Sequence, residues 1–173
     1  MTEELTLWTV GHSTHPLDEF LSVLAAHRIE AVADVRRFPA SRRHPQYGKD
    51  ALQESLRQNG IAYRWMPALG GRRTPAPDSP NVAWRNASFR GYADYMSTPA
   101  FASALDELLQ LARQLRTTLM CSEAVWWRCH RSMIADALIA RGIRVEHIVN
   151  AGPGTPHPGT APARFLDGRV TYA

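Results

Sequence analysis

The sequence predicts an α/β fold: three layers, with a mostly parallel sheet of about five strands and helices on both faces. Three observations predict it. Short apolar, β-rich runs alternate along the chain with segments whose apolar residues recur at helical spacing. Alternation of this kind implies parallel strands joined by crossover helices. Each strand run also ends in polar or glycine residues, and right-handed crossovers would gather those ends on one edge.

The elements follow in order. Leu5–Val10 is an apolar run closed by Gly11, the first strand. Pro16 suits the first turn of the next helix, with Asp18 and Glu19 near its positive end and Phe20, Leu21 and Leu24 on one face. Ile29–Val35 is the second strand. Arg36–Gly48 holds two prolines and a dense basic cluster, which makes a loop. Lys49–Asn59 is a helix with Leu52 and Leu56 on one side, and Ile61–Met66 is the third strand. From Pro67 to about Arg90 prolines and Gly70-Gly71 break any regular element, and a loop of that length in a compact domain is usually functional or disordered. Thr98-Pro99 caps a helix marked by Phe101, Leu105, Leu108, Leu109 and Ala112. Thr117–Cys121 is the fourth strand. A helix with Met133, Ile134, Ala137 and Leu138 inward follows, and Arg144–Val149 is the fifth strand. Residues 1–150 therefore read as one α/β domain. Residues 151–173, rich in Gly, Pro and Thr, read as a flexible tail with an edge strand at Arg169–Ala173.

Totals narrow the class. No apolar run is long enough to span a bilayer, and the first residues lack the basic and apolar regions of a secretory leader. Two cysteines make no disulfide framework. A cytoplasmic protein with reduced thiols is expected. The charge is lopsided: from Arg36 to Arg90, ten arginines and Lys49 stand against Asp50, Glu54 and Asp78, an excess of +8 in a chain of net +4. Arginine's planar fork suits phosphate and carboxylate, so an anionic partner is expected.

The stretch Thr117–Arg131, TTLMCSEAVWWRCHR, holds both cysteines, a glutamate, a histidine and two arginines. A strand handing over to a helix start is where open α/β sheets place ligands, and helix-start N–H groups favour anions. The motifs TVGHSTHPLDEF, ADVRRFPASRRHPQY, LGGRR, FRGYADYM and CSE…CHR, with VEHI after them, resemble the family known as domain of unknown function 488. The resemblance runs from about Leu7 to Val149. It implies a small α/β protein, no particular reaction, and recurrent positions at Gly11, His12, Ser13, Asp34, Arg36, Arg42, Cys121, Glu123, Cys129, His130 and Arg131.

Four chemistries fit these residue types. Cys121, at a strand end near arginines, is the expected nucleophile, with His130 or His12 as base. Six residues separate Cys121 from Arg128, one more than a cysteine-phosphatase loop uses. A metal is not assigned, because C-x7-C-H matches no standard ligand spacing. A redox pair of Cys121 and Cys129 is a lesser reading. An anion cradle of Arg36, Arg42, Arg128 and Arg131 is the strongest, with Asp34 and Glu123 as acid–base groups or arginine orienters. Successive side chains diverge, so one of Trp126 and Trp127 faces the cleft or a partner. The expected site thus has Cys121, Glu123, His130 and Asp34 for chemistry. His12, Ser13, Arg36, Arg42, Arg128, Cys129 and Arg131 would bind the ligand. That ligand is a phosphorylated small molecule, a nucleotide or a nucleic-acid end; no cofactor is named. The alternative is a non-catalytic nucleic-acid-binding module using the Arg36–Arg90 face.

Overall fold

A computed structural model describes residues 4–40 and 42–173. The strands are β1 (Thr6–Gly11), β2 (Ala31–Asp34), β3 (Ala62–Trp65), β4 (Thr117–Cys121), β5 (Arg144–His147) and the two-residue β6 (Thr155–Pro156). The helices are α1 (Leu17–Ala26), α2 (Lys49–Gln58), α3 (Ala87–Tyr95), α4 (Pro99–Gln114) and α5 (Arg131–Ala140). The six strands lie in the order β3-β2-β4-β1-β5-β6, parallel except for β6. The expected α/β architecture is present, with one antiparallel strand added at the edge.

The inner strands are covered on both faces, so they read as continuous apolar runs rather than alternating ones. One face of the sheet carries Trp8, Val10, Val32 and Met120, packed on Phe20 and Leu24 of α1 and Leu52 and Leu56 of α2. The other carries Leu7, Ala33, Leu119 and Val145, packed on Leu105 and Leu108 of α4 and Ile134 and Leu138 of α5. The loops after β1 and β2 therefore leave toward one face, while the loop after β4, which lies between those strands, leaves toward the other. Such a reversal opens a crevice at the strand C-termini. Cys121, the last residue of β4, sits in it.

The segment after 150 is not a loose tail. Residues Arg131 to Leu138 of α5 are all buried. A helix buried on every side needs cover on its outer face, and the C-terminal segment supplies it. β6 pairs antiparallel with β5, His147 opposite Thr155. Arg164–Leu166 and Arg169–Thr171 form a hairpin, β7 and β8, separate from the main sheet rather than an edge strand of it. The anchor is Asp136 of α5. Its carboxylate accepts from His157 Nε2 at 2.7 Å, from the Thr160 N–H at 2.9 Å, from the Thr160 hydroxyl at 2.6 Å and from the Tyr172 hydroxyl at 2.7 Å. Composition alone reads this stretch as flexible because its apolar residues are few. What orders it is polar convergence on one buried carboxylate.

That anchor has a measurable weight. Tyr172→Phe, which removes one of four donors, is expected to lower urea-unfolding stability by about 1–2 kcal/mol. Asp136→Ala strands all four donors, those of His157 and Tyr172 buried, and is expected to cost about 3 kcal/mol or more. A wild-type denaturation midpoint for Asp136→Ala would refute the anchoring.

Candidate functional site

The site is built where three loops meet. The ladder between β1 and β4 runs on past the strands: His12 N–H donates to Cys121 O and Ser13 N–H to Ser122 O, both at 2.9 Å. Contact is so close that a Cβ on Gly11 would stand 1.7 Å from the Glu123 carbonyl oxygen. Only glycine fits there. Ser13 (φ 48°) and Arg72 (φ 59°) hold left-handed backbone in two loops at this end of the sheet.

The two thiols touch. Cys121 Sγ lies 2.7 Å from Cys129 Sγ, and both cysteines are free and buried. Cys129 stands two residues before α5; its carbonyl accepts from Ser132 N–H, and the Arg131 N–H faces its sulfur at 3.5 Å. Arg131 lies beneath the pair, only 1 % exposed. Its Nη1 donates to Cys121 Sγ and to the Glu123 carbonyl, each at 2.6 Å, and its Nη2 to the Ala124 carbonyl at 3.2 Å. Among the described residues no carboxylate bonds to this buried guanidinium. A cation taken out of water needs a counter-charge, and the ionisable groups in reach are the two sulfurs.

The titration of the pair follows. Burial alone would raise the Cys129 thiol. The hydrogen bond from Cys121, the Arg131 charge and the Arg131 N–H outweigh it and bring the group down from its ordinary 9.0 to about 7. Burial and the adjoining Cys129 push Cys121 well up. The sequence expectation put the nucleophile at Cys121; the surroundings lower the Cys129 thiol and raise the Cys121 thiol, which favours the thiolate on Cys129. The reason is the helix start, which spacing alone does not allot between two cysteines.

His130 borders Cys129. Its Nε2 lies 2.9 Å from the Val35 carbonyl oxygen, which only accepts, so Nε2 carries the hydrogen. Nδ1 is then the free lone pair, 3.6 Å from Cys129 Sγ. Burial lowers the pKa of this ring and keeps it neutral. A Cβ on Gly71 would meet Nδ1 at 2.9 Å, so glycine is needed where that loop crosses the imidazole.

Arg131 is held from behind by a buried polar chain. Its Nε donates to Thr9 Oγ1 at 3.3 Å, and Thr9 Oγ1 bonds His147 Nδ1 at 2.5 Å. His147 Nε2 meets His157 Nδ1 at 2.8 Å, and His157 Nε2 donates to Asp136. Because Arg131 only donates and the carboxylate only accepts, every bond can point the same way with both histidines neutral. Trp126 lies flat on His147, 4.6 Å between centroids and 4° between planes, while Trp127 is 58 % exposed. Trp126 therefore covers the chain instead of facing the cleft.

Above the thiols is a cavity of about 590 Å³ lined by His12, Arg36, Arg37, Arg72 and Arg128, among others, with Cys121, Cys129 and His130 at its floor. Arg72 and Arg128 have no ion pair among the described residues. Arg36 is fixed by Asp34 in a two-toothed pair, Nε to Oδ1 at 2.9 Å and Nη2 to Oδ2 at 2.7 Å. His12 stacks on Tyr47 and donates from Nδ1 to the Ser13 carbonyl; burial brings its pKa down to about 4. A larger open depression of about 1030 Å³ lies at the other end of the sheet. Two of its arginines are already paired, Arg141 with Asp106 and Arg144 with Glu146, and it holds no thiol or histidine.

The cavity thus gathers His12, Arg36, Arg128, Cys121, Glu123, Cys129 and His130 of the expected residues. Five are placed differently from expectation. Asp34 is fully buried, binding Arg36 and the Tyr63 hydroxyl, so it orients an arginine and does not line the cavity. Glu123 bonds Arg131 through its backbone carbonyl, and its side chain is exposed. Arg42 is exposed and outside the lining, and half-buried Ser13 is outside it too. Arg131 serves the thiols from below and does not line the cavity. Sequence reasoning missed Arg37 and Arg72, and all of the Thr9–His147–His157–Asp136 chain. Residues 138 apart give no spacing signal.

A family profile described as "Domain of unknown function DUF488" matches residues 16–138, most of the chain. The chain belongs to the DUF488 family. The matched span contains both cysteines, His130, Arg131 and Asp136. His12 and the His147–His157 pair lie outside it. No curated protein and no solved structure matches the chain. The DUF488 membership brings no reaction with it, so chemistry rests on the geometry above.

Two outcomes are expected. His12, His130 and His147 all have folded pKa values below the ordinary 6.5, His12 at about 4 and His147 at about 3. The stability gained by burying them neutral is complete above pH 6.5 and is lost as pH falls toward those values. Each ring should contribute a slope of about 1.4 kcal/mol per pH unit; urea melts that stay level from pH 6.5 to 4.5 would contradict this. Separately, Thr9→Val should slow alkylation of the reactive thiol about fivefold at pH 7, the effect of a rise of about one pKa unit. Thr9→Ser, which keeps the hydroxyl, should restore it. Equal rates in all three proteins would show that the chain does not hold Arg131.

Proposed function

We propose that this DUF488 protein is a thiol-dependent enzyme that binds an anionic ligand, a phosphorylated small molecule or nucleotide, in the arginine-lined cleft. The observation that carries the reading is the buried Arg131 whose ionisable partners are two touching thiols at the floor of that cleft. A guanidinium there stabilises a thiolate, and a thiolate is the reactive form of cysteine. Cys129 is the nucleophile in this reading. His130 Nδ1 takes its proton, because Nε2 is committed to Val35. Arg72 and Arg128 meet the ligand's negative charge, and Arg36, aimed by Asp34, adds to the field. The Arg131 N–H at the start of α5 favours the Cys129 thiolate.

The distribution of basic residues supports a cleft over a broad nucleic-acid face. Of the arginines from 36 to 90, Arg36 is buried on Asp34, Arg57 pairs with Glu54 and Arg64 with Glu107. Arg73 lies 3.8 Å over the Tyr95 ring. Those engaged side chains are not offered together to a phosphate backbone.

The test is alkylation with iodoacetamide across pH, with and without inorganic phosphate or adenosine monophosphate. One thiol should react with a midpoint near pH 7, and Cys129→Ser should abolish that reaction. Both anions should protect it, and Arg72→Ala with Arg128→Ala should weaken protection about tenfold. A midpoint near the ordinary thiol value would overturn the thiolate. Strongly salt-dependent DNA binding without protection by either anion would favour the nucleic-acid module.

A further inference from the structure

The two sulfurs differ in role as well as in environment. Cys129 stands at a helix start beside Arg131 and lines the cleft. Cys121 closes β4, touches Cys129 at 2.7 Å and also reaches the cleft. A nucleophilic thiol with a protonated thiol against it is the arrangement that dithiol–disulfide exchange requires: one sulfur attacks, the neighbour resolves. Hydrolytic or group-transfer chemistry at Cys129 has no use for a second thiol in contact. Such a neighbour would compete for any covalent intermediate formed on Cys129.

The geometry points to a redox-active dithiol: Cys129 attacks an anionic low-molecular-weight disulfide held by the cleft arginines, and Cys121 resolves the product. This rests on the thiolate reading above and puts a carboxylate-bearing disulfide in place of its phosphorylated ligand as the anion that reacts. In the first step Cys129 Sγ⁻ attacks one sulfur of R–S–S–R. A Cys129–S–S–R bond forms, the R–S–S–R bond breaks, and RS⁻ leaves. In the second, Cys121 gives up its proton to that departing RS⁻, giving RSH, and its sulfur attacks Cys129 Sγ. The Cys121–Cys129 bond forms and a second RS⁻ leaves. Two electrons pass from the protein dithiol to the small disulfide. The cycle in reverse would reduce the protein at the expense of an anionic thiol.

Arg131 favours the first step through its charge and its backbone N–H, which faces Cys129 Sγ at 3.5 Å, and its guanidinium bond to Cys121 Sγ ties it to both members of the pair. A stabilised thiolate makes the reduced form more stable and the disulfide more oxidising. The chain through Thr9, His147 and His157 to Asp136 then matters to potential as well as to reactivity, because it fixes the guanidinium that the reduced form needs. Arg72 and Arg128, without ion pairs among the described residues, select carboxylate-bearing disulfides over cationic ones. This assigns the extra thiol and the free arginines one common purpose.

The experiment uses the full chain, reduced and desalted, mixed at pH 7 with oxidised glutathione (anionic) or cystamine (cationic) and followed by intact mass. Wild type with oxidised glutathione should lose the mass of two hydrogens without retaining an adduct. Cys121→Ser should instead accumulate a glutathione adduct on Cys129, and Cys129→Ser should form neither product. Oxidised glutathione should act about tenfold faster than cystamine, by electrostatic attraction. Wild type that keeps its mass, or that stops at a stable adduct, overturns the dithiol. An adduct on Cys121 in Cys129→Ser overturns the assignment of roles. Cystamine acting as fast as oxidised glutathione overturns the anionic substrate. Since the wild-type protein gives the first result, the proposal is tested even where a cysteine variant folds poorly. A thiol that alkylates at pH 7 but never forms the internal disulfide would sink this inference and leave the thiolate enzyme standing.

Discussion

Arg131 is the residue on which the rest of the site depends. It is a full charge almost wholly withdrawn from water, which is costly without compensation. Compensation comes from four directions: the Cys121 sulfur, the Glu123 and Ala124 carbonyls, and the Thr9 hydroxyl. Three of these partners lie at the end of β4 and in the loop after it and the fourth lies on β1, so the guanidinium also fixes where those parts sit. The loop after β4 curls over it, β1 runs beside it, and α5 begins on it. Satisfying this one group therefore fixes both the loop geometry and the pairing of the thiols.

The same constraint explains the C-terminal segment. Thr9 is held by His147, His147 by His157, and His157 by Asp136. His157 belongs to the segment that covers α5, so that segment contributes to the site from a distance without touching the cavity. Fully satisfied buried polar networks specify a single arrangement, because any alternative leaves a donor or acceptor without a partner. Burial holds His147 of that network neutral.

The cleft itself follows from topology. β4 lies between β1 and β2, and the chain leaves it toward the opposite face. That puts Cys121 and the start of α5 at the bottom of a gap, with the loops after β1 and β2 on one wall and Gly71 and Arg72 on another. The arginines divide accordingly. Arg36, bound to Asp34, shapes the wall, and Arg72 and Arg128, without ion pairs among the described residues, line the space.

The sequence by itself determined the order of the five parallel strands and of α1, α2, α4 and α5, the parallel sheet, and the segment in which the thiols, His130 and Arg131 meet. Alternating apolar runs, capping residues such as Thr98-Pro99 and polar strand ends are local signals, and local signals survive in a one-dimensional reading. It also showed that Cys121, Cys129, His130, Arg128 and Arg131 belong together, because they lie within one strand–loop–helix unit. Tertiary structure alone decided the roles inside that unit. Which thiol is favoured as thiolate depends on the helix start and on contact between sulfurs eight residues apart. That Asp34 orients Arg36, and that Glu123 contributes a carbonyl, depends on burial. The link from Cys121 to Asp136 joins residues from opposite ends of the chain through bonds that no spacing encodes. Local pattern fixes what an element is; only packing decides which distant group shares its proton or balances its charge.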